Sequence, residues 1–312
     1  MRIEKISIRA LTIGALLLIG AVGISTSFIA EEAYRKAATG AHVETVAQIL
    51  GTLSNAELSE MEASAAHLAS AAVKTFSRQP GLASYLAEAP AGTANPVLAK
   101  LLHAPLETDL PGLRPVSAHL YNSSRQLLMS SGEESSLDSP VLTRESLEDA
   151  AQGYWLDGEL PRYSIVRSVG KTAGSGYLEL RFDPTHALQT LTSLTGLPVR
   201  INTINGTPLY ESPDWTEPAE AIPEVTLMIK PGDAPPLAQL AVLDDLTGLY
   251  RTTREERNST TGIFVALLAI ALLVVIVLLD RFLFRPLSAM LDDMQRVAQG
   301  DTSVQVDNHA LK

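Results

Sequence analysis

The sequence predicts an α/β (α+β) fold. It has an extracytoplasmic domain of two lobes on a long stalk helix, held between two transmembrane helices and followed by a cytoplasmic coiled-coil relay helix. Three observations predict this. Residues 10–30 are a mostly apolar run of 21 without a charge, and residues 262–279 a second of 18. Each is long enough for a helix to cross about 30 Å of hydrocarbon, where only intrahelical bonds can satisfy the backbone amides. Helical spacing of apolar residues continues beyond the first run, and from Val116 the period changes to two.

The flanks of the two runs set their orientation. Arg2, Lys5 and Arg9 precede the first, and Arg281 and Arg285 follow the second. Basic residues are retained on the cytoplasmic side, so both termini are expected there and residues 31–258 outside. Residues 31–258 carry 17 Lys/Arg against 29 Asp/Glu, a net −12 of the overall −11, and the rest of the chain is +1. An acidic outer domain argues against a nucleic-acid partner. The first run is too long for a signal-peptide core, and residues 27–30 make a poor cleavage site, so an uncleaved lipid-embedded anchor is expected. The chain therefore divides into a cytoplasmic N-terminus (1–9), a first span (10–30), an outer domain (31–258), a second span (259–281) and a linker (282–312). There is no cysteine, hence no disulfide, thiolate metal site or cysteine nucleophile. The six histidines are scattered.

The elements follow in order. Val43, Val46, Leu50, Leu53, Leu58, Met61, Ala65, Leu68 and Ala72 recur at three and four, predicting one helix over 31–78, a rod of roughly 70 Å that suits pairing with a second copy. Gln79-Pro80-Gly81 breaks it. Short helices are expected at 82–89 and 97–103, the latter within a proline-rich loop. Lobe 1 (112–182) opens with strands at 116–121 and 126–130 around the turn Asn122-Ser123-Ser124-Arg125. A helix is expected at 144–152 and a strand at 163–169. In the next strand Leu178, Leu180 and Phe182 face inward, and Glu179 and Arg181 outward. Asp183 and Pro184 open a helix to Thr195 as N-cap and first-turn residue. Lobe 2 (183–245) repeats the order, with strands at 197–202, 208–210, 224–229 and 237–242. Its hairpin turn is Asn205-Gly206, and Asp244 or Asp245 caps a helix that runs into the second span. "LYNSSRQLLMSS" corresponds to "RINTINGTPLYES", and "YLELRFDPTHAL" to "LAQLAVLDDLTGL", so the two lobes read as an internal duplication.

After the second run, Pro286 fits the first turn of a new helix. Leu287, Met290, Leu291, Met294 and Val297 then form one apolar stripe, which a coiled-coil partner would bury. Gly300-Asp301 ends the helix, and Val304 and Val306 follow. These residues resemble the first half of a HAMP linker, the parallel four-helix relay of bacterial transmembrane receptors. The second HAMP helix and any output domain are missing from the pattern. The outer domain resembles a double Cache sensor with two PAS-like lobes, through the order of its elements and through "FSRQPGLASYL" and "LYNSSRQLLMSSG". Together the resemblances imply a homodimeric receptor spanning a bacterial inner membrane twice. It would have a periplasmic domain that senses a small molecule or a periplasmic binding protein, and a signal passed to a cytoplasmic output partner or a missing C-terminal domain.

No catalytic constellation, cofactor or metal site is predicted, and the chain itself is not expected to be an enzyme. PAS-like lobes bind ligands against one sheet face, which implies a site at Tyr121, Tyr154, Trp155, Tyr163 and Arg167. There an aromatic wall with one guanidinium could hold a carboxylate. The alternatives are the input half of a longer diguanylate cyclase, phosphodiesterase, histidine kinase or chemoreceptor, and a membrane-anchored envelope scaffold.

Overall fold

The structure is a computed structural model of the chain and describes residues 8–88, 95–133, 139–143, 150–170, 175–218, 222–232 and 234–299. It falls into two compact units, residues 40–247 and residues 1–39 with 248–312.

In the first unit the helix α1 (Ile8–Ser77) supplies one wall of the core. Leu58, Met61, Ala65, Ala69, Ala72 and Phe76 are all buried, at the three-and-four spacing that places them on one face. The three alanines let sheets approach this helix closely. Gly81, at φ 81° after Pro80, turns the chain into α2 (Leu82–Glu88) and α3 (Pro96–His103). The Asn95 side chain caps α3 by accepting from the Val97 and Leu98 amides at 3.1 and 3.3 Å.

Two antiparallel sheets follow. The first contains β1 (Pro115–Asn122), β2 (Leu127–Gly132), β3 (Ala150–Asp157), β4 (Leu160–Ser168) and β5 (Gly176–Phe182), in the order β2-β1-β5-β4-β3. After the short helices α4 (Pro184–Gln189) and α5 (Leu191–Thr195) come β6 (Val199–Asn202), β7 (Pro208–Glu211), β8 (Glu224–Ile229) and β9 (Ala238–Leu243), in the order β7-β6-β9-β8. Four of the five strands are thus repeated in order, with β7, β6, β9 and β8 in the places of β2, β1, β5 and β4, and β3 has no counterpart in the second sheet. The hairpins agree in detail. The Asn122 amide donates to the Gln126 carbonyl at 3.0 Å, while its side chain accepts from the Gln126 amide at 2.8 Å. Thr203 does the same with Thr207, at 2.7 and 3.1 Å. Each turn has a left-handed residue three positions on, Arg125 at φ 63° and Gly206 at φ 88°. Glycine adopts that conformation freely, and an arginine pays strain for it.

One apolar core runs along α1. It joins Ala118, Leu120, Ile165, Leu178, Leu180 and Phe182 of the first sheet to Val199, Ile201, Val225, Leu240 and Val242 of the second. Each fully buried large side chain contributes about 1.5–3 kcal/mol.

Several expectations are corrected. Residues 150–152 belong to β3, paired along its length with β4, instead of ending a helix; residues 144–149 lie outside the described residues. Glu179 and Arg181 are buried at 0% and 3% exposure, because a second layer covers the face that alternation alone assigns to solvent. The helix from Pro184 to Thr195 is split at Thr190, the C-cap of α4 and N-cap of α5.

In the second unit the N-terminal part of α1 packs against α6 (Thr247–Leu279). A Cβ on Gly20 would lie 2.5 Å from Leu268 Cδ2, and one on Gly23 2.8 Å from Phe264 Cζ. The Arg35 guanidinium sits 5.5 Å over the Tyr250 ring. Since rising numbers on α1 meet falling numbers on α6, the pair is antiparallel. Both helices contain stretches long and apolar enough to cross a membrane, judged by length and composition. Asp245 caps α6, its carboxylate accepting from the Thr247 amide at 2.8 Å. A π-helical turn, Asp280–Phe284, leads without a break into α7 (Arg285–Ala298). Pro286 therefore lies in a helix continuous with α6 and does not restart one. A π-turn is a frequent way to absorb such an irregularity.

Candidate functional site

Strand registers place a polar surface on the face of the first sheet turned away from α1. Ser117, Arg181 and Ser164 share one row across β1, β5 and β4. His119, Glu179 and Val166 share the next, and Tyr121 and Tyr177 the third. Trp155 of β3 lies opposite Arg162 of β4. Side chains alternate across a strand, so all of these share one face.

This surface is covered. Val141 and Leu142, at 1% and 4% exposure, close over Tyr121, Trp155, Val166 and Tyr177. Beneath them Arg181 Nη2 lies 3.1 Å from Glu179 Oε2, and the Tyr121 hydroxyl donates to the same oxygen at 2.9 Å. Burial, with Glu179 beside it, pushes the Tyr121 phenol well above its ordinary range. The Arg181 guanidinium stacks 5.1 Å over the Trp155 ring, and the indole N–H donates to Ser164 Oγ at 2.9 Å. His119 Nε2 is 2.9 Å from Ser117 Oγ. At the margin, Arg162 donates to Glu133 at 2.9 Å. Glu179 Oε1 is buried and has no hydrogen-bond partner among the described residues. A buried carboxylate oxygen in this state is a ready acceptor for a donor that enters the layer. The arrangement suits recognition, with a fixed cation, a fixed anion and an indole face. No group of three or more His, Asp or Glu side chains among the described residues could hold a metal.

The residues singled out in the sequence divide between two faces. Tyr121 and Trp155 belong to this cluster. Tyr154 is the neighbour of Trp155 in β3, so it points to the opposite face. Tyr163, opposite Tyr154 in the register, and Arg167, four residues further along β4, share that α1 side. The Tyr154 and Tyr163 rings stack there at 4.7 Å and 45°. The expected wall with Arg167 is therefore not assembled on one face, and the arginine beside Tyr121 and Trp155 is Arg181. Sequence reading missed Glu179, Arg181, His119 and Ser164. Ser117, His119, Ser164, Glu179 and Arg181 form one polar stripe only because β1, β5 and β4 are neighbours in the sheet, an order that no single strand signals.

On α7, Leu287, Met290, Leu291 and Met294 are exposed at 56%, 62%, 60% and 71%, a continuous apolar stripe on one helix face. Val297 lies on the same helix. Gly300 and Asp301 lie outside the described residues.

No protein family and no curated protein matches the chain. Among solved structures it is similar to the crystal structure of the Vibrio cholerae LuxQ periplasmic domain, with a TM-score of 0.45 and 13% identity, over 64% of this chain and 98% of that one.

Proposed function

We propose that the chain is a membrane-anchored sensor subunit, placed twice across a bacterial inner membrane with both ends cytoplasmic and residues 31–258 periplasmic. The observation that carries this reading is helical continuity. The helix that holds the first apolar stretch also forms the core wall of both sheets. The helix that holds the second starts four residues after β9 and leads into α7. Both apolar stretches thus lie on the helices by which the chain enters and leaves the two sheets. The sensed species would be a small polar molecule taken up between the Glu179–Arg181 cluster and its cover, or a protein docked on that cover. It would act by its differential affinity for two arrangements of the domain. The exposed stripe at Leu287, Met290, Leu291 and Met294 would pair with a second copy as a HAMP-like relay.

The absence of cysteine makes the test clean. Ser123→Cys, in the β1–β2 turn, should react with an impermeant maleimide in intact spheroplasts. Ser288→Cys, on α7, should react only after permeabilisation. Met294→Cys should crosslink between copies in membranes, and Asp292→Cys should do so far less. Labelling of both sites from one side, or equal crosslinking at 292 and 294, would overturn the reading.

A further inference from the structure

The α1-facing side of the first sheet borders an open cleft of about 870 Å³, remote from the Glu179–Arg181 face. Asn55, Ser59 and Glu62 line it from one face of α1. Tyr154 and Tyr163 line it from β3 and β4, and Lys230 from the turn after β8. Tyr163 is 1% exposed. Its hydroxyl is buried without a hydrogen-bond partner among the described residues, and that of Tyr154 is turned to the Glu62 carboxylate. Natural cores rarely leave such a group without something to meet it. Burial first, and then Glu62, raise both phenols above their ordinary range, so both stay protonated and neutral. Each phenol oxygen can point its proton toward Glu62 and still accept from a ligand. The cleft therefore offers one carboxylate and two phenol oxygens as acceptors. Arg167, on the same sheet face, does not line it.

We propose that this cleft binds a small primary amine in its ammonium form, with Glu62, Tyr154 and Tyr163 receiving its three N–H donors and Lys230 excluding a second positive charge. An ammonium has three donors and no acceptor, which matches the three oxygens. An anion would face Glu62. A quaternary ammonium would leave the phenol oxygens unsatisfied. Lys230 stands at the outer edge, where a second cationic group on the ligand would be repelled.

The test is saturation-transfer NMR on the full chain in nanodiscs with n-butylammonium, putrescine, tetramethylammonium and butyrate. The expected result is binding of n-butylammonium, weaker binding of putrescine, and none of tetramethylammonium or butyrate. Glu62→Gln should weaken n-butylammonium by about tenfold or more, because it removes a charge-assisted hydrogen bond. Lys230→Glu should strengthen n-butylammonium and raise putrescine more, a gain that misfolding cannot mimic. Butyrate binding as well as n-butylammonium, no binding of any amine, or amine affinities unchanged in both variants would each overturn the proposal. The sensor reading does not depend on the result, because its labelling and crosslinking tests do not involve this cleft.

Discussion

Replacing Arg181 with methionine tests the polar layer directly. Methionine preserves much of the side-chain length and its packing under Trp155, and it removes the charge. Glu179 is wholly buried. It keeps the Tyr121 hydrogen bond at 2.9 Å, loses the guanidinium at 3.1 Å, and retains an oxygen without a partner among the described residues. Breaking a buried ion pair from one side costs about 3–5 kcal/mol. At a urea m-value of about 2–3 kcal/mol/M, the midpoint of domain unfolding falls by roughly 1–2.5 M. Trp155 reports the transition locally, since its ring lies 5.1 Å from the Arg181 guanidinium. Trp215 is the other tryptophan in the chain, and Trp215→Phe removes its signal. Adding Glu179→Gln to Arg181→Met takes away the orphaned charge and leaves a carbonyl for Tyr121, so it should recover roughly half of the loss. The reasoning fails if Arg181→Met stays within about 1 kcal/mol of wild type, or if the two substitutions simply add.

Other consequences can be measured alongside. Tyr121, Tyr154 and Tyr163 are all raised above the ordinary phenol range. Their protonated forms are therefore favoured by folding, and stability is full below about pH 10, where the unfolded phenol titrates, and falls above it. The slope is about 1.4 kcal/mol per pH unit for each tyrosine; Tyr163→Phe should remove one proton's share, read from urea midpoints between pH 9 and 11. Asp183 accepts from the Thr185 amide at 2.9 Å; Asp183→Ala should lower stability by about 1 kcal/mol in the same assay. Gly20→Leu drives a side chain into Leu268, whose Cδ2 would lie 2.5 Å from the new Cβ. It should push α1 and α6 apart and cut bismaleimide crosslinking of a cysteine pair at positions 35 and 250.

Local signals carried most of the fold. Proline and glycine at 80–81, the turn chemistry at Asn122 and Asn205-Gly206, and the Asp183-Pro184 helix start each act within a few residues, and each stands where the sequence puts it. β8 spans Glu224–Ile229, the same six residues that periodicity assigns. The failures are places where a distant partner decides. Ala150, Ala151 and Gln152 favour a helix by themselves, yet the ladder to Arg167, Val166 and Ile165 makes them strand, a tertiary override of propensity. The candidate site fared worse for a related reason. Proximity in sequence grouped Tyr154 with Trp155, and the pleat separates neighbours onto opposite faces. Alternation assigns Arg181 to the outward face of its strand, where a charge normally meets water, and only the register of β5 between β1 and β4 reveals that this face is covered.

That covered face bears on function through its energetics. A buried arginine–glutamate pair is usually no more stabilising than apolar side chains of similar volume. The opposite face of the same sheet meets α1 through leucine, isoleucine and phenylalanine. Stability alone therefore gives no reason to place Glu179, Arg181, His119 and Ser117 beneath Val141 and Leu142. The double variant Glu179→Leu/Arg181→Met separates the two explanations. If the layer serves recognition, this variant unfolds at or above the wild-type urea midpoint and no longer responds to whatever species stabilises the wild-type domain. If the pair is structural, the variant still unfolds below the wild-type midpoint although the orphaned charge is gone, and the polar layer is then a fold-specifying element instead of a ligand surface.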